Sequence, residues 1–178
     1  MDMSLPPHGT GAALLPPDLN SYRQAFRRTA GGVWVVTAAH AGQRSGLTAT
    51  SIVSLSADPA ELMVSVQPGS SSFPLMQAAG CFGVNLLTHE QQPIADRFAG
   101  LNGCQGDDRF VQAAWHPTSD GVWLLDDAAV SMACEISELI WRRTHALVIG
   151  RITAVRVAAN TQPPLVYANG RYTAPLPG

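Results

Sequence analysis

Hydroxyl side chains are concentrated in two short segments, which are the first candidates for a binding site. Residues 46–51 (GLTATS) are small and would let a flat ring lie close to the backbone. The second segment is the cluster Ser70, Ser71 and Ser72. Three hydroxyls at a helix start, with free backbone N–H groups and the positive end of the helix dipole, can hold a phosphate. A solvated strand face and a simple helix cap are the alternative interpretations.

A histidine and two arginines are the other candidates. His145 stands directly before the apolar run ALVIG, at a strand end where the mouth of a barrel would lie. The alternative is a structural histidine. Arg97 and Arg109 each stand between an aspartate and a phenylalanine, and they are candidate anion contacts because cations are scarce in this chain. Ion-paired surface arginines are the alternative.

The composition excludes several kinds of chemistry. All 11 basic residues are arginine, so a Schiff-base lysine and a P-loop lysine are excluded. With a net charge of −2, the chain lacks the cationic surface that nucleic acids require, so no nucleic-acid partner is expected. The spacing of the three cysteines, Cys81, Cys104 and Cys134, does not suit a metal-binding knuckle, and their odd number does not suit a set of disulfides. We interpret them as small apolar side chains in a protein of a reducing compartment. We expect no metal site.

The length of 178 residues and the 46% hydrophobic content predict one folded domain. Residues 1–19 are rich in proline and predict a flexible tail, which leaves residues 20–178 as the domain. No run approaches 18 apolar residues, and the start of the chain has no charged and apolar leader. We therefore expect a cytoplasmic protein with no membrane partner.

The periodicity of apolar residues predicts a mainly β protein. Helices are expected over residues 20–30, after Ser72 as far as Ala79, and over residues 90–99, where Thr88 and Gln91 form a capping box. Strands are expected over residues 33–37, 46–50, 52–56, 61–66, 81–87, 128–139, 146–157 and 165–167. These elements do not alternate strictly, which favours a closed antiparallel barrel with peripheral helices over a doubly wound parallel sheet.

Seven segments in order resemble the flavin reductase family. They are FRRTAGGVWVVTA, GLTATSIVSLSADPAELMVSVQPGSSS, FGVNLLTHEQQPIADRFAG, DDRF, LDDAAVSMACEI, THALVIGRI and PLVYANGRY. The similarity extends from Tyr22 to Tyr172 and is greatest to the reductase components of two-component flavin monooxygenases, of the 4-hydroxyphenylacetate hydroxylase kind. It implies the FMN-binding split-barrel fold, a closed antiparallel Greek-key β-barrel with a few short peripheral helices.

The resemblance also implies an activity and its partners. The expected enzyme is an NAD(P)H:flavin oxidoreductase that transfers a hydride from NADH, or NADPH, to FMN or FAD. The implied protein is a homodimer, and a separate flavin-dependent monooxygenase receives the reduced flavin by diffusion. Two alternatives remain open: a non-catalytic split-barrel module that binds flavin or haem, and a flavoenzyme related to pyridoxamine-phosphate oxidase.

The family's site residues fall on particular positions of this chain. His145 matches a histidine beside the nicotinamide, and Tyr167, Arg171 and Tyr172 match a C-terminal segment near it. The residues implied to contact the flavin or its phosphate are Thr48, Ala49, Thr50, Ser51, Gln67, Ser70, Ser71, Ser72, Phe82, Asn85, Arg97 and Phe98. Backbone N–H groups of residues 48–51 would meet the negative charge that develops on the reduced ring.

Overall fold

The computed structural model describes residues 16–159 and 162–175, and β-strands dominate it. The helices are α1 (Leu19–Arg27), α2 (Phe73–Ala79) and α3 (Gln92–Phe98), with short 3-10 helices at His89–Gln91 and Gly106–Phe110. The strands are β1 (Gly31–Gly32), β2 (Trp34–His40), β3 (Gln43–Ala49), β4 (Ile52–Ala57), β5 (Ala60–Val66), β6 (Cys81–Leu86), β7 (Trp115–Pro117), β8 (Trp123–Leu125), β9 (Val130–Arg142), β10 (His145–Val157), β11 (Val166–Ala168) and β12 (Arg171–Thr173). The prediction of a mainly β protein with a few short helices is confirmed.

One seven-stranded antiparallel sheet, in the order β3-β2-β6-β9-β10-β5-β4, forms the body of the domain. Its two edge strands, β3 and β4, are consecutive in the chain and are joined only by Thr50 and Ser51. Three Cα–Cα steps separate Ala49 from Ile52, so these two strand ends lie within about 11 Å of each other. The sheet must therefore curl until its two edges meet at one corner.

The sheet does not close, so the predicted closed barrel is wrong in that respect. Within the described residues, β3 pairs only with β2, and β4 pairs only with β5. The free edge of β3 is instead bound by other segments. The Thr48 hydroxyl donates to the Ala95 carbonyl of α3 at 2.6 Å, and Ser45 Oγ lies 2.7 Å from Ser71 Oγ. These contacts occupy the edge where a closing strand would pair.

A small three-stranded sheet, β1-β11-β12, lies beside the connection between β3 and β4. The β11–β12 turn consists of Asn169 and Gly170, both at positive φ (53° and 78°), which is the turn type that suits a two-residue hairpin. Gly31 of β1 pairs with Tyr167 of β11, and a Cβ at Gly31 would lie 3.3 Å from the Thr50 carbonyl oxygen. The hairpin is thereby held next to Thr50.

The caps explain where the helices begin. The Asp18 carboxylate accepts the Ser21 N–H at 2.7 Å, and Ser21 Oγ accepts the Asp18 N–H at 3.0 Å, so α1 starts one residue before the predicted Asn20. The capping box of Thr88 and Gln91 is confirmed, although the first turn after it is a 3-10 helix. The predicted tail falls mostly on residues 1–15, outside the described residues, and Leu19 already belongs to α1.

Two apolar clusters form the core. One lies inside the curled sheet and includes Phe82, Val64, Met76 and Cys134. Burial raises the pKa of the Cys134 thiol to about 12, so this cysteine packs as an apolar side chain, as predicted. The other cluster lies under α3 and includes three buried aromatic rings, those of Phe98, Phe110 and Trp115. No described helix is both long and apolar enough to cross a lipid bilayer.

A glycine permits the contact between β3 and α3. A Cβ at Gly46 would lie 2.6 Å from the Val36 carbonyl oxygen and 2.7 Å from Cε1 of Phe98. The Phe98 ring is 1% exposed and packs against Phe110 and Trp115, so it has nowhere to move. Position 46 therefore accepts no side chain.

We expect Gly46→Ala to lower the free energy of unfolding by about 1–3 kcal/mol, because the added methyl overpacks the core. The matched control is Gly69→Ala, where a Cβ would meet no atom within 4 Å, and this variant should unfold at the wild-type urea concentration. Circular dichroism during urea unfolding measures both values. Equal midpoints for the two variants would contradict the packing described for Gly46.

Candidate functional site

A cavity of about 360 Å³ opens at the corner where the edges of the main sheet meet. Its walls are the end of β3, the β3–β4 connection, the end of β5, the residues that follow α3 and the start of β10. Cavities of about 300–1,000 Å³ are typical of small-molecule sites. The unclosed edge of the sheet thus coincides with a pocket of ligand size.

This cavity gathers eight of the predicted site residues from four segments of the chain. They are Thr48, Ala49, Thr50, Ser51, Gln67, Ser70, Phe98 and His145. Sequence reasoning missed four other lining residues, Leu47, Ser65, Val66 and Ala99. Those residues carry no distinctive chemistry, so only the strand register brings them into the cavity.

The hydroxyls at this corner have different hydrogen-bonding states. Thr48 donates to Ala95 of α3, and Ser51 donates to the Ser65 carbonyl of β5 at 3.2 Å, so these two hydroxyls hold the walls in place. The backbone N–H groups of Thr50 and Ser51 make no hydrogen bond within residues 16–159 and 162–175. They are donors at the cavity wall that a ligand oxygen can satisfy.

His145 lies at the first position of β10 and is half-buried in the cavity wall. Its Nδ1 is 2.9 Å from the Thr144 hydroxyl, which fixes the orientation of the ring. The tight β9–β10 turn contains Arg143 at a φ of 49° and aligns His145 with Arg142. Nε2 of His145 makes no hydrogen bond to the described chain, so it can bind a ligand in the cavity.

A second cavity of about 410 Å³ holds the remaining predicted contacts of the nicotinamide, Tyr167, Arg171 and Tyr172. Residues 48–50 line both cavities, as does Ala99. The resemblance predicts that these three residues and His145 lie together near the nicotinamide. In the structure, His145 lines the first cavity only, and the three residues line the second. The residues predicted for one subsite are thus distributed over two adjoining cavities.

Tyr167 and Tyr172 form a cross-strand pair in the β11–β12 hairpin, with ring centroids 5.4 Å apart in an edge-to-face arrangement. Burial, and then the nearby Asp96 carboxylate, raise the pKa of Tyr172. Its hydroxyl therefore remains protonated at neutral pH and can act as a hydrogen-bond donor.

Five predicted residues lie outside these cavities, starting with two serines. Ser72 is fully buried, and Ser71 is exposed with its hydroxyl next to Ser45. Ser72 occupies the N-cap position of α2 but makes no side-chain cap hydrogen bond. Only Ser70 of the serine cluster lines the first cavity, so the three hydroxyls do not converge on one point.

Phe82, Asn85 and Arg97 serve the fold in this structure. The Phe82 ring is fully buried inside the curled sheet. Asn85 is also buried, donates from Nδ2 to the Val35 carbonyl at 3.2 Å, and accepts the Leu125 N–H at 2.8 Å. The Arg97 guanidinium donates to the carbonyl oxygens of Val111 and of the Gln112 side chain. Neighbouring Phe98 lies at the cavity wall, with its ring buried in the core against Phe110 and Trp115.

Arg109, the other candidate anion contact, also binds carbonyl oxygens. Its Nε donates to Cys104 at 3.0 Å, and its Nη1 donates to Gly46 and to Phe98, the latter at 3.4 Å. One guanidinium thus links the loop after α3, the end of α3 and β3. Arg109 holds together two walls of the first cavity rather than lining it.

The residues present fit a flavin better than a metal ion. Small side chains at residues 48–51 and the unpaired backbone donors of Thr50 and Ser51 suit a flat ring that carries hydrogen-bond acceptors. In the described part of the chain, histidine, cysteine and acidic side chains form no group of three that could hold a metal ion. The chemistry of this site therefore favours an organic cofactor.

Comparison with known proteins gives the same family as the motifs. Residues 26–175 match the family model described as a flavin reductase like domain. An NADH:riboflavin 5′-phosphate oxidoreductase of Streptomyces pristinaespiralis is 37% identical over 161 residues, which cover 88% of each chain. The 4-hydroxyphenylacetate 3-monooxygenase reductase component of Salmonella typhi is 37% identical over 125 residues, which cover 70% of this chain and 73% of the relative.

A solved structure shares the fold. The crystal structure of a flavin reductase domain protein from Arthrobacter sp. FB24 superposes with a TM-score of 0.79 at 31% identity, covering 89% of this chain and 96% of the other. The matched region contains every lining residue of the first cavity, from Leu47 to His145. This chain belongs to the flavin reductase family.

Proposed function

We propose that this protein is an NAD(P)H:flavin oxidoreductase that reduces FMN or FAD. The observation that carries the proposal is the first cavity, which gathers eight predicted site residues at the open corner of the sheet. Support comes from the family and from the relative named as an NADH:riboflavin 5′-phosphate oxidoreductase. The fold type that we assign within this family is the FMN-binding split barrel, here with an open corner.

A flavin supplies an electron-accepting ring, and the reaction needs no acid or base from the protein beyond correct placement of two rings. Residues 48–51 would lie along one edge of the flavin ring, with the N–H groups of Thr50 and Ser51 directed to its oxygen and nitrogen acceptors. The absence of a catalytic carboxylate among the lining residues agrees with this chemistry.

His145 is proposed as a positioning residue for the dihydronicotinamide or its ribose. Its ring is held through Nδ1, and Nε2 is available to a ligand. The Thr144 hydroxyl holds the imidazole through Nδ1. A ligand that binds Nε2 therefore contacts a ring whose orientation is already set. His145 would in this way help to hold the dihydronicotinamide against the flavin, without a proton transfer from the histidine.

The reduced flavin is proposed to leave for a separate monooxygenase. The relative from Salmonella typhi is named as the reductase component of such a system. The first cavity opens at the corner of the sheet. We propose that both proteins act in the cytoplasm.

We further propose a homodimer. Five large apolar side chains on the main sheet are 46–70% exposed: Val53, Leu55, Trp141, Val155 and Val157. Val155 and Val157 occupy positions i and i+2 of β10 and therefore share one face, which we assign to the association surface. A second copy is the occupant that would cover it, and it would place the flavin near the subunit interface.

The activity is tested by adding FMN or FAD to the purified protein and following NADH or NADPH oxidation at 340 nm. We expect flavin-dependent oxidation, together with loss of the flavin's visible absorbance under anaerobic conditions. A bound flavin that neither nicotinamide can bleach would contradict the proposal and favour a storage or sensing module. Turnover of pyridoxamine phosphate without a nicotinamide would favour the oxidase relative.

His145→Ala should lower kcat/KM for NADH about tenfold, the effect of one lost hydrogen bond to the substrate. The flavin dissociation constant should stay at the wild-type value, which separates a nicotinamide contact from a flavin contact. His89→Ala is the matched control, because His89 is exposed and lines neither cavity. Wild-type kcat and KM in the His145 variant would remove this assignment and leave the oxidoreductase proposal intact.

The dimer is tested by light scattering coupled to size-exclusion chromatography. The wild-type protein should elute with twice the chain mass of 18.8 kDa. Val157→Arg should shift it towards the monomer because an arginine cannot be buried there without a partner. The control is Val111→Arg, which changes an exposed apolar residue outside the main sheet. A monomeric wild type would refute the dimer.

A further inference from the structure

A third cavity, of about 510 Å³, lies between α1 and the connection from β3 to β4. It shares Thr50 and Tyr167 with the second cavity, which in turn shares residues 48–50 with the first. The three cavities therefore follow one another along the same wall. A ligand that starts in the first cavity and extends past Thr50 must arrive at α1.

The three cavities are locally cationic although the whole chain has a net charge of −2. Arg23 and Arg27 of α1 line the third cavity, and Arg171 lines the second. None of the residues that line the three cavities is acidic. Within the described residues, none of these three arginines forms an ion pair. They are therefore available to an anionic ligand.

Arg27 and Arg171 converge on one turn. The Arg27 guanidinium lies against Gly170, since a Cβ at that glycine would be 3.6 Å from Nε and 3.7 Å from Cζ of Arg27. Arg171 is the next residue in the chain. Asp96, the acidic group beside Tyr172, does not line any of the three cavities. The Arg27 guanidinium, which lies on this turn and lines the third cavity, is a suitable donor to phosphate oxygens, and Arg171 adds positive charge in the adjoining cavity.

Aromatic rings line the same cavity as the arginines. Tyr22 and Phe26, one turn apart on α1, are 54% and 60% exposed, and their ring centroids are 4.6 Å apart. Exposed aromatic faces next to arginines stack well with nucleic acid bases. The third cavity thus offers one surface for a base and another for a phosphate.

We propose that the third cavity binds the adenosine phosphate half of a dinucleotide whose redox-active ring lies in the first two cavities. This inference rests on the proposed function and adds a specificity to it. Arg23 and Arg27 would contact the phosphates, and Tyr22 or Phe26 would stack on the adenine. A mononucleotide ends before α1, so these residues favour dinucleotides over mononucleotides. The dinucleotide is either FAD or the nicotinamide substrate.

The test compares the binding of two matched ligand pairs to the full-length protein by isothermal titration calorimetry. The pairs are FMN with FAD, and nicotinamide mononucleotide with NAD⁺. The variant is Arg27→Gln, and the control is Arg28→Gln, which removes the neighbouring charge from the end of α1 without touching the cavity. Both positions are exposed, so both variants should fold, and their circular dichroism spectra check this.

For one of the pairs, we expect Arg27→Gln to weaken binding of the dinucleotide about tenfold, which corresponds to a charge-assisted hydrogen bond. Binding of its mononucleotide should stay unchanged, and Arg28→Gln should affect neither ligand. A selective loss for FAD identifies the flavin as the occupant, and a selective loss for NAD⁺ identifies the nicotinamide substrate. Phe26→Ala should weaken the same dinucleotide.

Two results would overturn the inference. One is an Arg27→Gln variant that binds both members of each pair as the wild type does. The other is a wild type that binds neither dinucleotide more tightly than its mononucleotide. In both cases flavin-dependent NADH oxidation would persist, whereas failure of the proposed function would appear as a wild type with no such oxidation.

Discussion

The close packing of β3 against α3 is the contact on which the site depends. It requires the missing side chain at Gly46, where any Cβ would collide with the Val36 carbonyl and the Phe98 ring. Arg109 reinforces it by donating to the carbonyl oxygens of both Gly46 and Phe98. Because Thr48 is two residues further along β3, the same packing brings its hydroxyl to Ala95. The wall formed by residues 47–49 is therefore set by core packing, before any ligand binds.

This packing also explains why the sheet stays open. An unpaired strand edge exposes backbone donors and acceptors and normally invites aggregation. Here Ala95 of α3 and Ser71 contact β3 on this side, and the N–H groups of Thr50 and Ser51 at the corner have no partner within residues 16–159 and 162–175. A barrel closed by hydrogen bonds would use those two N–H groups internally. The open corner thus leaves the N–H groups of Thr50 and Ser51 available to donate hydrogen bonds to a ligand.

The sequence was informative where a local pattern decides the structure. Strand periodicity located the long strands, and the box of Thr88 and Gln91 located the start of the segment that ends at Phe98. It was uninformative about β7, β8 and β12, which have three residues each and too few positions to show a period. It also could not decide closure, because that depends on contacts such as the one between Thr48 and Ala95, 47 residues apart.

The same distinction applies to the site. Eight of the residues that the motifs single out line one cavity of the structure, because the strand order and register bring these segments together. The sequence did not reveal that Ser72, Phe82 and Asn85 are fully buried, because burial is decided by distant parts of the chain.

Arginine illustrates why the location of positive charge cannot be deduced from a count. With 11 arginines and 13 acidic residues, Arg97 and Arg109 were reasonable candidate anion contacts, yet both donate to carbonyl oxygens that the fold would otherwise leave unpaired. Arg44 is likewise held between Phe110 and Trp123 and paired with Asp107. The arginines that line the cavities without such a structural role are Arg23 and Arg27 of α1 and Arg171 of the β11–β12 hairpin. A nearly neutral chain can in this way present a cationic surface to a phosphate.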